Sequence, residues 1–147
     1  MRAGLSGLLI AAVMLASCSI FRPVGSWVEL SDESDAGQVS EAVAVFVAQS
    51  VPESGAVIEL AAVPAEQSAN RLTGLIREKL TGRGYRLDPD GGAPHHRLHY
   101  LVSRFGDQIL LRVNLDGLEC SVLFGRDGSG QLRASAPLAM RQKEKSL

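Results

Sequence analysis

Three histidines lie close together in this sequence, and their spacing raises the question of a metal site. His95, His96 and His99 are the only histidines in the chain. On a helix this spacing would bring three imidazoles together as possible metal ligands. Pro94 before the cluster and the alternating pattern after it favour a strand, where His95 and His99 share one face about 13 Å apart and His96 faces away. We therefore expect a solvated strand entrance, with no metal and no other cofactor.

Nucleophilic catalysis is not indicated by the rest of the chain. The sequence has no Gly-x-Ser-x-Gly motif and no phosphate-binding Gly-Lys motif. Cys120 has apolar neighbours of the same parity on a predicted strand: Leu118, Val122 and Phe124. This pattern indicates a small buried hydrophobe, and an intermolecular disulfide is the alternative. We expect that the protein is not an enzyme, and we identify no small-molecule substrate.

The other cysteine, Cys18, lies at the end of an apolar N-terminal run. The run follows Arg2 and closes in Leu15-Ala16-Ser17-Cys18. It is well short of the roughly 20 apolar residues that span a bilayer, so it predicts an export signal over residues 1–17. The four closing residues resemble the lipobox of bacterial lipoproteins, which implies a lipid attachment site at Cys18. An ordinary cleaved signal with an incidental cysteine is the alternative.

The lipobox resemblance also implies where the mature protein resides. A lipid on Cys18 would attach the protein to a membrane without crossing it. Ser19 follows the cysteine where inner-membrane retention usually shows Asp, which favours the outer membrane facing the periplasm.

Length and charge limit the rest of the chain to one domain. Removal of residues 1–17 from the 147-residue chain leaves 130 residues, enough for a single core. Only Arg2 is lost among the charged residues, so 14 basic residues face 16 acidic ones. No basic patch or arm stands out, and we expect no nucleic-acid partner. We predict a tether over residues 18–30, a periplasmic domain over 31–140 and a flexible tail over 141–147.

The tether is too apolar for a simple spacer. Ile20 and Phe21 precede Pro23, and Trp27 follows it, all within the predicted tether. Flexible linkers are usually rich in Gly and Ser or charged. These side chains therefore either fold back on the domain or dock in a groove of a partner protein.

Hydrophobic periodicity predicts the elements of the domain. Helical spacing of Val39, Val43, Phe46 and Val47 predicts a first helix that Pro52 ends, with capping groups at Ser31 to Asp35. A short apolar run over 56–62 predicts a buried strand. A second helix is predicted to start near Pro64, with an apolar stripe of four residues: Leu72, Leu75, Ile76 and Leu80.

After the second helix the sequence predicts five further strands. A brief one covers 85–87, and beyond Pro94 the apolar residues recur at every second position, which is typical of half-buried strands. Asp116-Gly117 is the strongest hairpin signal, since a two-residue turn needs positive φ at both positions. The predicted fold is α+β, with two helices on one face of a mostly antiparallel sheet that ends in a β-meander, in the order α-β-α-β-β-β-β-β. If the meander has an exposed edge, a partner strand could pair with it.

This order of elements resembles the TrbH family of conjugal transfer lipoproteins. The resemblance rests on the lipobox, the apolar tether, the segment Arg77-Glu78-Lys79-Leu80-Thr81-Gly82-Arg83-Gly84-Tyr85 and the closing segment Ala136-Pro137-Leu138-Ala139-Met140-Arg141-Gln142. It implies a component of a type IV secretion apparatus for mating-pair formation, anchored in the outer membrane, with other secretion-channel proteins as partners. The family offers no catalytic residues to transfer. An outer-membrane ligand-binding or envelope-maintenance lipoprotein unrelated to conjugation is the alternative.

Overall fold

The structure is a computed structural model that describes residues 25–30, 32–67, 70–87, 94–135 and 139–142. These residues form a sheet of seven strands with two helices, which confirms the predicted α+β class. In chain order the elements are β1 (Trp27–Val28), α1 (Ala36–Ser50), β2 (Ile58–Leu60), α2 (Arg71–Gly82), β3 (His96–Phe105), β4 (Gln108–Leu115), β5 (Leu118–Arg126), β6 (Leu132–Ala134) and β7 (Ala139–Gln142).

Helix α1 forms where the apolar spacing predicts it. The four predicted core residues are all fully buried: Val39, Val43, Phe46 and Val47. A 3₁₀ turn, Glu33–Asp35, precedes the helix, and the Asp32 carboxylate caps this turn by accepting a 2.8 Å hydrogen bond from the Ser34 amide. The helix ends at Ser50, two residues before Pro52, whose ring cannot continue it.

Helix α2 begins later than predicted. The residues after Pro64 form only a 3₁₀ turn, Ala65–Gln67, and the helix starts at Arg71. Asn70 is its cap, because the Asn70 side chain accepts a 2.8 Å hydrogen bond from the Thr73 amide. Leu72, Ile76 and Leu80 are buried as predicted, and Leu75 packs at the margin of the core.

Strands β3, β4 and β5 form the predicted antiparallel meander. Their inner positions pack under the helices, and these include Tyr100, Leu111 and Val122. The β4–β5 turn is the expected two-residue hairpin, since Asp116 has φ 52° and Gly117 has φ 93°. Because inward and outward side chains alternate along each strand, one face of the sheet packs against the helices and the opposite face points away from them.

Each border of the meander is completed by two short strands placed end to end. On the β3 side, β2 pairs with residues 96–98 and β1 with residues 101–102, both parallel to β3. On the β5 side, β7 pairs with residues 118–121 and β6 with residues 124–126, both antiparallel to β5.

The boundaries of the domain differ from the predicted ones. Trp27–Val28 is a strand of the sheet, so the last part of the predicted tether belongs to the folded domain. Likewise Arg141 and Gln142 lie in β7, where the tail was expected to begin. The predicted strand at 85–87 is wrong, because Arg86 forms a single parallel bridge with Val57 and no longer ladder. Within the part of the chain that the structure describes, neither helix is long and apolar enough to cross a bilayer.

Candidate functional site

Of the residues predicted to act in the tether, the structure describes one. Cys18, Ile20 and Phe21 lie outside the described residues. Trp27, the only tryptophan of the chain, lies in β1 with 41% of its surface exposed. Its neighbour Val28 points inward and is buried. The end of the predicted tether is therefore folded back on the domain, with the indole left accessible.

A side-chain amide holds β1 on the side away from β3. Gln67 accepts a 2.9 Å hydrogen bond from the Val28 amide and donates a 2.7 Å hydrogen bond to the Val28 carbonyl. On the side of β1 that faces β3, the Glu29 amide donates a 2.9 Å hydrogen bond to the Val102 carbonyl. The Gln67 side chain thus stands in for a neighbouring strand and satisfies both free backbone groups of Val28.

The entry of the chain into the sheet is tightly packed. The Ser26 amide donates to the Ala62 carbonyl at 2.9 Å, and the buried Ser26 hydroxyl accepts from the Tyr100 amide at 3.2 Å. A Cβ at Gly25 would lie 2.5 Å from the Ala62 carbonyl oxygen, so only glycine fits there. This junction fixes the backbone at the point where the described chain enters the sheet.

The sheet face opposite the helices carries a patch of apolar side chains, which we call the open face. Its leucines lie outside the buried core that packs under the helices. By strand register, Trp27 stands beside Leu101, and the row next to it holds Leu110 and Leu123. Phe105, 63% exposed, lies at the end of the same face. The open face comprises Trp27, Leu101, Phe105, Leu110, Arg112 and Leu123.

The charges on this side of the sheet are mixed. Arg112 is exposed next to Leu101, and Arg97 is exposed two rows away. The acidic groups are largely matched: Glu59 lies 2.8 Å from the His95 ring, and Glu119 faces Arg141 across the β5–β7 pair. Glu29 is exposed near the edge. The leucines are therefore accompanied by cations that project toward solvent.

The three histidines lie at the predicted strand entrance, and each makes contacts of its own. His96 Nδ1 lies 2.6 Å from a carboxylate oxygen of Asp116, whose other oxygen accepts a 2.8 Å hydrogen bond from the Arg97 amide. His95 pairs instead with Glu59 on the neighbouring strand. In the described ranges no three His, Cys, Asp or Glu side chains come together as a metal-binding group. The Asp116 carboxylate ties the β4–β5 turn to the start of β3.

The position of His99 on β3 lowers the pKa of its ring. Burial lowers the pKa of His99 below its ordinary value, and the positive charge of Arg97 lowers it further. Glu59 and a hydrogen bond to the Gly25 backbone act in the opposite direction. The neutral ring is thus favoured beside the point where the chain enters the sheet.

Two side chains with nucleophilic groups, Cys120 and Ser129, have surroundings that explain them structurally. Cys120 is buried on the inner face of β5, as predicted, and burial raises the pKa of its thiol to about 11. The Ser129 hydroxyl donates to the Asp127 carboxylate at 2.6 Å within a turn. Neither group combines accessibility with an activating base.

Sequence reasoning missed the open face, although a signal for it is present. The strand pattern indicates polar residues at the outward positions, yet Leu101, Leu110 and Leu123 occupy three of them. Each leucine looks incidental on its own strand. The register aligns them with Trp27, which the sequence pattern placed in the tether.

The relationship of the chain to known proteins rests on one finding. The family described as conjugal transfer protein TrbH matches residues 22–144. The chain belongs to the TrbH family. This confirms the resemblance inferred from the sequence and links the protein to conjugal transfer, in a family that is not a known enzyme family. The chain has no significant match among curated proteins or among solved structures.

The family match covers the whole described domain. It begins three residues before Gly25 and extends beyond Gln142, the last residue of β7. The short border strands β1 and β7, which the periodicity did not predict, are thus inside the family region. The matched region therefore includes the residues of the open face and Gln67 as well as the meander.

Proposed function

We propose that this TrbH-family protein is a lipid-anchored structural component of a conjugative type IV secretion apparatus that docks on neighbouring channel subunits in the periplasm. The match of the TrbH family over residues 22–144 carries the proposal. A role in conjugal transfer supports a place in the cell envelope. The Leu15-Ala16-Ser17-Cys18 sequence supports acylation of Cys18, and Ser19 supports the outer membrane.

The proposed activity is binding rather than catalysis. Two of the three histidines pair with carboxylates, and the Cys120 thiol is buried with a raised pKa. For contact with channel subunits we propose Ile20 and Phe21. They lie just before the tightly packed entry at Gly25, so a partner that binds them also positions the folded domain.

Labelling in transfer-competent cells tests the anchor. Radiolabelled palmitate should label the wild-type protein and a Cys120→Ala control, but not Cys18→Ala. The control keeps one cysteine and alters the buried one, so it separates loss of the lipid site from loss of a thiol. Labelling of Cys18→Ala would overturn the assignment of the lipid site.

Transfer and association test the role in the apparatus. A deletion strain should lose plasmid transfer, and wild-type protein supplied in trans should restore it. A tagged copy should copurify with channel subunits, and Ile20→Ser with Phe21→Ser should weaken this association while the domain remains folded. Three results together would favour the alternative of an envelope-maintenance lipoprotein. They are normal transfer in the deletion strain, recovery of the tagged copy without channel subunits, and an envelope defect in cells that lack the plasmid.

A further inference from the structure

The open face has a composition suited to the boundary between water and lipid. It joins Trp27 and Phe105, two of the four exposed large hydrophobic residues in the described chain, to three half-buried leucines. Tryptophan is enriched at membrane–water interfaces, where its ring lies at the level of the headgroups. Arginine side chains reach outward from such positions toward anionic lipid while their stems cover apolar surface.

The length of chain before the domain limits how far this face can be from a membrane. Seven peptide units connect Cys18 with Gly25, and at 3.3–3.6 Å each they span at most about 25 Å. If Cys18 is acylated, the entry of the domain lies within about that distance of the acyl chains, which is less than the diameter of a small domain. This reach is short enough for a surface of the domain to lie against lipid.

The point of entry indicates which surface this is. The chain joins the sheet at Gly25, two residues before the start of β1, and β1 pairs with β3 beside Leu101, a residue of the open face. Trp27 follows two residues later on that face. The outer surfaces of the two helices are a poorer match, because their exposed residues are mostly polar and Val45 is the one exposed large hydrophobic residue that the described helices carry.

We propose that the open face lies on the anionic lipid surface to which Cys18 is anchored, with Trp27 and Phe105 at headgroup level and Arg97 and Arg112 toward lipid phosphates. This inference rests on the proposed acylation of Cys18. The contact needs little affinity of its own. The anchor makes it intramolecular, so a weak interaction at high effective concentration is sufficient to set the orientation.

Fluorescence of Trp27 tests this orientation directly, since the chain has no other tryptophan. The full acylated protein is purified in detergent and reconstituted in vesicles of phosphatidylethanolamine and phosphatidylglycerol. Lipids brominated near the headgroup end of their acyl chains should quench Trp27 emission about twofold relative to unbrominated lipids. Aqueous iodide should quench Trp27 less in vesicles than in detergent-free denatured protein.

Paired variants locate the contact on the face. Phe105→Gln with Leu110→Gln should abolish most of the quenching by brominated lipid, and Arg112→Glu should reduce it most in vesicles rich in phosphatidylglycerol. Val45→Gln, on the helix side, should leave it unchanged. Circular dichroism establishes that each variant is folded, and quenching by brominated lipid in the folded Phe105→Gln/Leu110→Gln protein equal to that of wild type would overturn the assignment of the face.

Mass spectrometry of the N-terminal peptide separates the two levels of the proposal. An acylated Cys18 with Trp27 open to iodide and insensitive to brominated lipid would preserve the anchor and overturn the membrane contact. Protection of Trp27 in isolated envelopes but not in protein-free vesicles would assign the face to a protein neighbour and overturn the lipid proposal. A peptide without acyl chains would overturn both.

Discussion

Arg126 donates two nearly parallel hydrogen bonds to Asp35, at 3.0 Å and 2.7 Å, across 91 positions of the sequence. Asp35 is the residue before α1, and its carboxylate is only 5% exposed. Arg126 also donates to the Gly130 carbonyl at 3.1 Å. The guanidinium therefore fastens the start of the first helix to the end of β5 and to the turn that follows it. Such two-point contacts fix geometry as well as charge.

Replacement of Arg126 should destabilise the protein more than replacement of any other arginine in the same hairpin. In Arg126→Gln the buried Asp35 carboxylate loses its counter-charge, which is costly because little water reaches it. We expect a lower Tm by differential scanning calorimetry. Arg133→Gln is the matched control, since Arg133 is 68% exposed in its pair with Asp127. Equal Tm values for the two variants would contradict the importance of the Asp35 contact.

Replacement of Gln67 should release the first strand without unfolding the meander. Gln67→Leu removes both hydrogen bonds to Val28, and each unpaired backbone group at a partly buried position makes folding less favourable, for a total of about 1–3 kcal/mol. Urea unfolding measures this loss, and hydrogen exchange should increase most for residues 25–30. Gln49→Leu on the exposed side of α1 is the control. Unchanged exchange at Val28 in Gln67→Leu would be inconsistent with the contact.

The Cys120 thiol should react only when the protein unfolds. Burial raises its pKa from 9.0 to about 11, so at pH 8 the folded protein holds almost no thiolate. A Cys18→Ala protein, which has only this cysteine, should react with Ellman's reagent slowly when native and quickly in urea. Because the unfolded thiol ionises near pH 9 and the folded one does not, stability should fall as pH rises from 9 toward 11. Rapid reaction of the native protein would refute the buried setting.

His99 should make the fold less stable in mild acid. Its pKa is lowered in the folded protein, chiefly by burial, so the unfolded chain takes up a proton near pH 6.5 and the folded chain at a lower pH. The unfolded state then binds more protons, and stability decreases as pH falls from 6.5 through the folded pKa. His99→Gln should reduce this decrease in urea titrations at pH 7 and below.

The second cause of the His99 shift can be isolated by NMR. Arg97→Gln should raise the pKa of His99, because the repulsion from the guanidinium is removed. Arg133→Gln, remote from His99 in the strand register, should leave the ring resonance unchanged through the titration. If the pKa of His99 is unchanged in Arg97→Gln, the shift is caused by burial alone.

The sequence predicts the parts of the fold in which local patterning and tertiary packing agree. The stripe from Val39 to Val47 and the Asp116-Gly117 turn are examples, since each carries its own periodicity or φ requirement. Strand β1 has two residues and β7 has four, which is too short for any period to be read. Their positions depend on partners such as Val102 and Cys120 that are distant in sequence. The start of α2 was misplaced because Pro64 suits a 3₁₀ turn as well as a helix.

The candidate site was predictable only in part for the same reason. The prediction of a lipid site at Cys18 rests on its immediate sequence neighbours and does not depend on the fold. The open face exists only after register brings Trp27, Leu110 and Leu123 onto one surface. The function of Gln67 as a substitute strand is likewise invisible in the sequence, because a polar residue in a loop has no pattern that distinguishes it.

The end-to-end arrangement of β2 with β1 and of β7 with β6 also bears on solubility. A long continuous edge would offer an unbroken row of amides and carbonyls on which identical molecules could polymerise. Here the longest border strand has four residues, and each border is interrupted where one segment leaves and another enters. A protein concentrated on a two-dimensional surface meets its own copies far more often than one in solution. The broken borders would let such molecules crowd together without growing into fibrils.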